Sequence, residues 1–343
     1  MFQTNFKHLF LESREVFPSI LGQDVTKRHV KSALLMNRHI LIVGSPGIGK
    51  TTLAKDIAKT LPDITVNDCA YHCSPEQPVC PACMEAKKAN KKLPTKVLKG
   101  VERFVRIQGS PDLTVEDLLG DIDPEKALSH GAMSLQAFTP GKIFKANNGI
   151  LFFDEVNRCP EKLQNALLQV LEEGKASLGS YSIDFPTNFL FIGTMNPEDS
   201  STEALSQVFL DRFDVIPMHY PESAELEQRI VVMKGEKLPV EFDNKLIMAA
   251  VMFIRLLREH KDIEQKPSVR ASIGLYERAQ ANAYLDKRKK VTFKDLQDAV
   301  LSVVPHRMEL KPSVKYLQSP EQFVAQQFKA FEKEYGEDEG DVP

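Results

Sequence analysis

Gly44-Ser-Pro-Gly-Ile-Gly-Lys50-Thr51 follows the apolar run Ile40-Leu-Ile-Val43 directly and precedes a helix-forming stretch at 52–61. This is a phosphate-binding loop pattern in the strand-to-helix setting that the pattern requires. Glycines let backbone N–H groups curl around phosphate oxygens, and the helix N-terminus adds partial positive charge. Gly44, Ser45, Pro46, Gly47, Ile48, Gly49, Lys50, Thr51 and Thr52 are therefore candidate nucleotide contacts. Lys50 is placed to neutralise β- and γ-phosphates and Thr51 to ligate Mg²⁺. A glycine-rich turn that matches by accident is the competing reading, and it would leave no partner motifs further along the chain.

Partner motifs are present. Ile150-Leu-Phe-Phe153 and Phe189-Leu-Phe-Ile-Gly193 read as further buried strands, and helical patterns between them give the rhythm of parallel β-α units. In such a sheet ligands gather beyond the carboxyl ends of the strands. Asp154-Glu155 stands at one of those ends. Asp154 can hold magnesium through water, and Glu155 can polarise water for in-line attack on a γ-phosphate. Asn196, in Gly193-Thr-Met-Asn-Pro197, ends the next strand, where its amide could orient the water or sense the γ-phosphate. Asn-Pro also opens turns, so this residue draws its weight from the two motifs upstream.

With Leu210-Asp-Arg-Phe213 added, the ordered set resembles an AAA+ ATPase, in the branch of magnesium-chelatase ATPase subunits, MoxR proteins and MCM helicase motors, over about residues 20–307. The resemblance implies an α/β fold: a P-loop AAA+ core, its parallel sheet flanked by helices, followed by an all-helical lid domain. It implies that Arg212 is an arginine finger reaching a neighbouring subunit's γ-phosphate, a cation worth ~10³ to 10⁵ in rate in related systems. Read alone, Arg212 beside Asp211 would be half of a surface ion pair. It also implies that Arg270, in Ser268-Val-Arg-Ala271, is the lid arginine, and that Gln23, in Ile20-Leu-Gly-Gln23, lies on the adenine side. A homo-hexamer or similar ring follows from an arginine acting in trans.

The length of 343 residues fits about two domains. Helical patterns take over after Tyr220, which suggests a core at 1–221, a lid at 222–310, and a C-terminal helix with an acidic tail at 311–343. Two segments exceed what the β-α rhythm needs, 112–149 and 174–186; the resemblance makes them hairpin inserts, and a plain surface hairpin is the alternative. Apolar residues at 42% and charged residues at 27% describe an ordinary globular chain, and a net charge of −3 supplies no global field for nucleic acid. Charge is nevertheless uneven: six lysines crowd 87–99, and 332–341 is acidic. The start lacks a signal-peptide core and no apolar run is long enough for a membrane span, so a cytoplasmic protein without membrane insertion is expected.

Cys69, Cys73, Cys80 and Cys83 have the spacing C-x₃-C-x₆-C-x₂-C. Four thiols so close in a cytosolic chain suit a structural tetrahedral Zn²⁺ site. Pro75, Pro78 and Pro81 are expected to keep the segment out of helix, and Lys87, Lys88, Lys91 and Lys92 to favour thiolates. His72 is an alternative ligand to one cysteine, and disulfides or unused thiols compete with a metal. Cys159 reads as an ordinary packed thiol. Cysteines in this place resemble the chelatase subunits, whereas Asp154-Glu-Val-Asn-Arg158 and the Ser-x-Arg-Ala motif resemble MoxR.

The expectation is thus an ATP-hydrolysing ring motor that remodels or activates a partner protein, either a metal-chelatase subunit or a von Willebrand A-type protein. An MCM-like nucleic-acid motor is the alternative; it would need a basic hairpin tip, which Ser177-Leu-Gly-Ser-Tyr181 lacks. A small phosphoryl-transfer kinase shares the loop but needs neither Arg212 nor a lid.

Overall fold

The computed structural model describes residues 6, 10, 15–131, 134–178, 183–197 and 205–338. The tip of the second hairpin, at 179–182, two residues of the first insert, at 132–133, and the end of the acidic tail, at 339–343, lie outside them. The chain divides into two compact units. One comprises Met1–Ile20, Asp24–Gly44 and Gly49–Met218; the other comprises Leu21–Gln23, Ser45–Ile48 and His219–Pro343.

The first unit is built on strands β1 (Ile40–Val43), β2 (Phe104–Gln108), β3 (Gly149–Asp154), β4 (Phe189–Met195) and β5 (Asp214–Pro217). Their order across the sheet is β5-β1-β4-β3-β2, and every neighbouring pair is parallel. Helices cover both faces of such a sheet, so a central strand is apolar on both sides. Accordingly Ile150, Leu151, Phe152 and Phe153 of β3 are all fully buried, each worth roughly 1.5 to 3 kcal/mol. Helices α1 (Asp24–Leu35), α2 (Lys50–Thr60) and α3 (Glu161–Glu173) belong to this unit. Leu163, Leu167 and Val170 of α3 recur at helical spacing and join the core of Phe153 and Phe191.

Smaller ladders decorate the sheet. Gly120–Ile122 pairs antiparallel with Phe138–Pro140 between the short helices Val115–Leu119 and Lys142–Lys145. Lys175–Leu178 pairs with Ile183–Pro186. Ile64–Asn67 pairs with Thr95–Leu98, and the cysteine segment lies between them. One expectation fails there: Pro81–Lys88 is a helix. Pro81 occupies its first turn, where the missing N–H breaks no hydrogen bond and the fixed φ favours entry.

The second unit contains α4 (Ala224–Lys234), α5 (Asn244–Glu259), α6 (Val269–Leu285), α7 (Phe293–Val303) and α8 (Pro320–Asp338). Phe323, Val324 and Phe328 of α8 pack with Phe253, Ile254 and Leu257 of α5 in a single core. The unit is not wholly helical, because Ile263–Gln265 and Glu309–Leu310 form a two-stranded ladder.

Candidate functional site

In the first unit, Gly49 adopts φ +105° as the N-cap of α2, and the Lys50 Nζ donates to the Gly44 carbonyl. The Thr51 hydroxyl lies 3.4 Å from Asp154 Oδ2, although the two residues are 103 positions apart. Asp154 ends β3 nearly buried, with both carboxylate oxygens engaged. Its Oδ1 accepts from the Thr194 hydroxyl at 2.6 Å, and its Oδ2 accepts from Arg106 at 2.6 Å. Thr194 in turn accepts from the Glu155 backbone N–H at 2.9 Å, so β4 braces both acidic residues.

Glu155 turns out of the strand in a left-handed conformation, φ +56°. Its Oε2 accepts from Gln108 at 3.0 Å and pairs with Arg158 at 3.2 Å. Gly109 must be glycine for this turn to fit: a Cβ there would stand 2.0 Å from the Glu155 carbonyl oxygen. Asn196 is half-buried just past β4, and its carbonyl accepts from Asn157 at 3.3 Å. Arg212 follows the short helix Gln207–Leu210 and pairs with Glu172 of α3 at 3.0 Å. Motif reading alone assigns nothing to Arg106, Gln108 or Thr194. The signal for the first two is the alternation Phe104-Val-Arg-Ile-Gln108; Thr194 lies inside a motif in which Asn196 alone draws attention.

In the second unit, Gly22 and Gln23 take φ +63° and +59°, a left-handed turn. The Gln23 amide donates to the His219 carbonyl at 2.6 Å, and the His219 N–H donates back to Gln23 Oε1 at 3.4 Å. Ser268 caps α6, accepting from the Arg270 N–H at 3.3 Å. Gly47, at φ +76°, lies so close that a Cβ there would be 2.6 Å from Ser268 Oγ and 3.1 Å from Arg270 Cγ.

The four clustered cysteines converge: their sulfurs all lie within 4.8 Å of one another. All are free thiols, which removes the disulfide reading. His72 is not part of the group, since its Nδ1 lies 3.0 Å from the Lys145 carbonyl. Hydrogen bonds from the Cys73 and Cys80 thiols hold the Cys69 thiol far below the ordinary range. The same bonds push Cys80 up and raise Cys73 to about 12. Backbone N–H groups also point at sulfur, from Cys73 to Cys69 Sγ at 3.4 Å and from Val79 to Cys73 Sγ at 3.3 Å. Lys87 is occupied elsewhere, donating to the Glu76 carbonyl at 2.5 Å. Cys159 is a separate packed thiol, raised to about 11 by burial.

Residues 86–215 match the ATPase family associated with various cellular activities (AAA), and residues 255–326 match the AAA lid domain. Fold and family matches thus define an AAA+ ATPase core with its lid. Residues 16–92 match magnesium chelatase, subunit ChlI. The chloroplastic magnesium-chelatase subunit ChlI of Nicotiana tabacum is 30% identical over 351 residues, spanning 91% of this chain and 79% of that protein. A magnesium-chelatase subunit ChlI homolog of Methanocaldococcus jannaschii is 29% identical, with 86% of each chain covered. The chain belongs to the magnesium-chelatase ChlI family of AAA+ ATPases. Among solved structures, a chain from the complex between subunits BchI and BchD of magnesium chelatase matches more loosely, at 21% identity and a TM-score of 0.48 over 88% of this chain and 98% of that one. No helix among the described residues is long and apolar enough to cross a membrane.

Proposed function

We propose that the chain is a Mg²⁺-dependent ATP hydrolase that works in a homo-hexamer or similar ring to remodel or activate a partner protein. The observation that carries this reading is the wiring of Asp154 and Glu155 at the end of β3, with Thr51 near one carboxylate oxygen of Asp154 and Thr194 on the other. A hydroxyl beside a carboxylate is the hard oxygen set that Mg²⁺ takes, usually alongside phosphate oxygens and water. Bound there, the ion would neutralise charge on the β- and γ-phosphates. Lys50 would neutralise the same phosphates from the loop side, and the loop from Gly44 to Thr52 would supply backbone donors. Glu155, turned out of the strand and half-exposed, would take the proton of the attacking water; Asn196 would orient that water. Gln23 would face the base and Arg270 the phosphates from the lid. The working domains would be the core at 1–221, the lid at 222–310 and the tail at 311–343.

Arg212 would act on a neighbour's nucleotide. Its pairing with Glu172 is exposed and therefore worth at most about 1 kcal/mol, a small barrier to redirecting it. Arg212→Ala chains should bind ATP but hydrolyse little, and mixing them with Glu155→Gln chains should recover activity, because some interfaces then combine an intact finger with an intact base. No recovery in mixed rings refutes action in trans. The family makes a metal-chelatase subunit the first partner to seek, with a von Willebrand A-type protein, as for MoxR, the second. ATP-locked Glu155→Gln chains that hold DNA instead would select the nucleic-acid motor.

The cysteine cluster would bind one structural Zn²⁺. With Zn–S near 2.3 Å, a tetrahedral site needs sulfurs about 3.8 Å apart, which a group confined within 4.8 Å meets with small adjustment. Metal analysis of chain purified without chelator should find about one zinc per chain; absence of zinc removes the site.

A further inference from the structure

Glu227 of α4 is fully buried and bears a charge that burial makes costly. Arg258 of α5 answers it with two parallel bonds, NH1 to Oε2 at 2.6 Å and NH2 to Oε1 at 2.7 Å. The Ser272 hydroxyl of α6 adds a third, at 2.6 Å to Oε1. Arg258 Nε donates in another direction, to the Pro267 carbonyl at 2.8 Å. Its guanidinium also covers the Tyr220 ring, 4.6 Å from the centroid. Arg255, on the same helix, donates to the carbonyls of Pro221 at 2.9 Å and Glu222 at 3.3 Å, and reaches Glu227 Oε2 at 3.5 Å.

A buried ion pair adds little stability over well-packed apolar residues, so its use lies in what it holds in place. This one, with Arg255 bonded to the same Glu227, holds two lengths of chain. The first is 219–222, whose His219 backbone carries two hydrogen bonds with the Gln23 amide. The second is 267–272, where Ser268 and Arg270 lie against Gly47 of the phosphate loop. Arg258 grips the second length at the Pro267 carbonyl and meets the first at the Tyr220 ring, while Arg255 beside it holds the Pro221 and Glu222 carbonyls of the first.

We propose that Glu227 and Arg258 are positioning residues for the nucleotide, setting the spacing between the Gln23 arm and the Arg270 arm of the second unit. The proposal rests on the reading that Arg270 faces the phosphates. It also specifies why position 258 must be arginine. A lysine keeps the charge that Glu227 needs but has a single nitrogen, which cannot serve Glu227 and the Pro267 carbonyl in one geometry.

The test is a double-mutant cycle on the full-length chain, with ATP KM, kcat and thermal midpoint measured for R258K, R270A and R258K/R270A. R258K should fold, with a midpoint near that of the unmodified chain, and raise the ATP KM about 10-fold, an effect within the range of coupled neighbours. In the R270A background the same change should add well under about 10-fold, because one of the two arms whose spacing it sets is gone. Folded R258K with an unchanged KM, or losses that multiply in the double variant, overturns the proposal. An R270A chain with unchanged KM and kcat overturns the reading beneath it, and this proposal with it. Should R258K not fold, E227L/R258M removes both charges together and is judged by the same KM and the same cycle.

Discussion

Asp154 and Glu227 are both nearly or fully buried carboxylates bonded to arginine, yet they are built for different tasks. Glu227 has no exposed surface, and Arg258 closes on it with two bonds and almost no exposure of its own. Asp154 keeps an accessible edge and is met by Arg106, whose side chain is half in solvent, and by the Thr51 hydroxyl at the longer distance of 3.4 Å. The first carboxylate has permanent partners. The second has partners that can be exchanged, which is what the proposed uptake of a cation with each nucleotide requires.

Substitutions should separate the two. Asp154→Asn keeps the shape and an acceptor for Thr194, so stability should shift by no more than about 1 kcal/mol. Steady-state ATPase should nevertheless fall by ~10²-fold or more, as when a charge-stabilising group is removed. An Asp154→Asn chain that hydrolyses ATP normally would break the contrast. Glu227→Ala should do the reverse in kind, costing about 3 to 5 kcal/mol in denaturant unfolding because it leaves Arg258 buried without its counter-charge. A loss below about 1 kcal/mol would mean that Arg258 is solvated after all.

His39 sharpens the comparison with a buried group whose cost depends on pH. Burial, aided by the charge of Arg38, lowers its pKa to about 4, and its Nδ1 accepts from the Phe191 N–H at 3.0 Å, which requires the unprotonated ring. The unfolded chain takes up this proton near pH 6.5 and the folded chain only near 4. Stability is therefore intact above about pH 6.5 and is lost as pH falls toward about 4. His39→Gln, which retains an acceptor, should show a smaller loss between about pH 7 and about pH 4.5 in urea unfolding. Equal losses in the two chains would assign the acid sensitivity elsewhere.

How legible these features are in the sequence follows from how each is buried. Strands β1, β3 and β4 are covered on both faces and read as unbroken apolar runs. The edge strands β2 and β5 mix polar and apolar residues, as in Phe104-Val-Arg-Ile-Gln108 and Asp214-Val-Ile-Pro217, and do not stand out as buried runs. Only the alternation within β2 marks Arg106 and Gln108, which that strand delivers to Asp154 and Glu155. The cysteines are legible because ligand spacing is local, while their proline-rich setting misleads about Pro81–Lys88. Glu227 is invisible in the sequence. Among Glu225, Gln228 and Arg229 it looks like one more solvated residue of an exposed face, and only the approach of α5 and α6 reveals the opposite.

Everything proposed for the site turns on Glu155, beside a cation-ready Asp154, taking the proton of the attacking water. The most direct test is to measure ATP binding and single-turnover hydrolysis in Glu155→Gln chains. Retained ATP binding with hydrolysis reduced to a trace is the predicted result. Hydrolysis at the rate of the unmodified chain would contradict it.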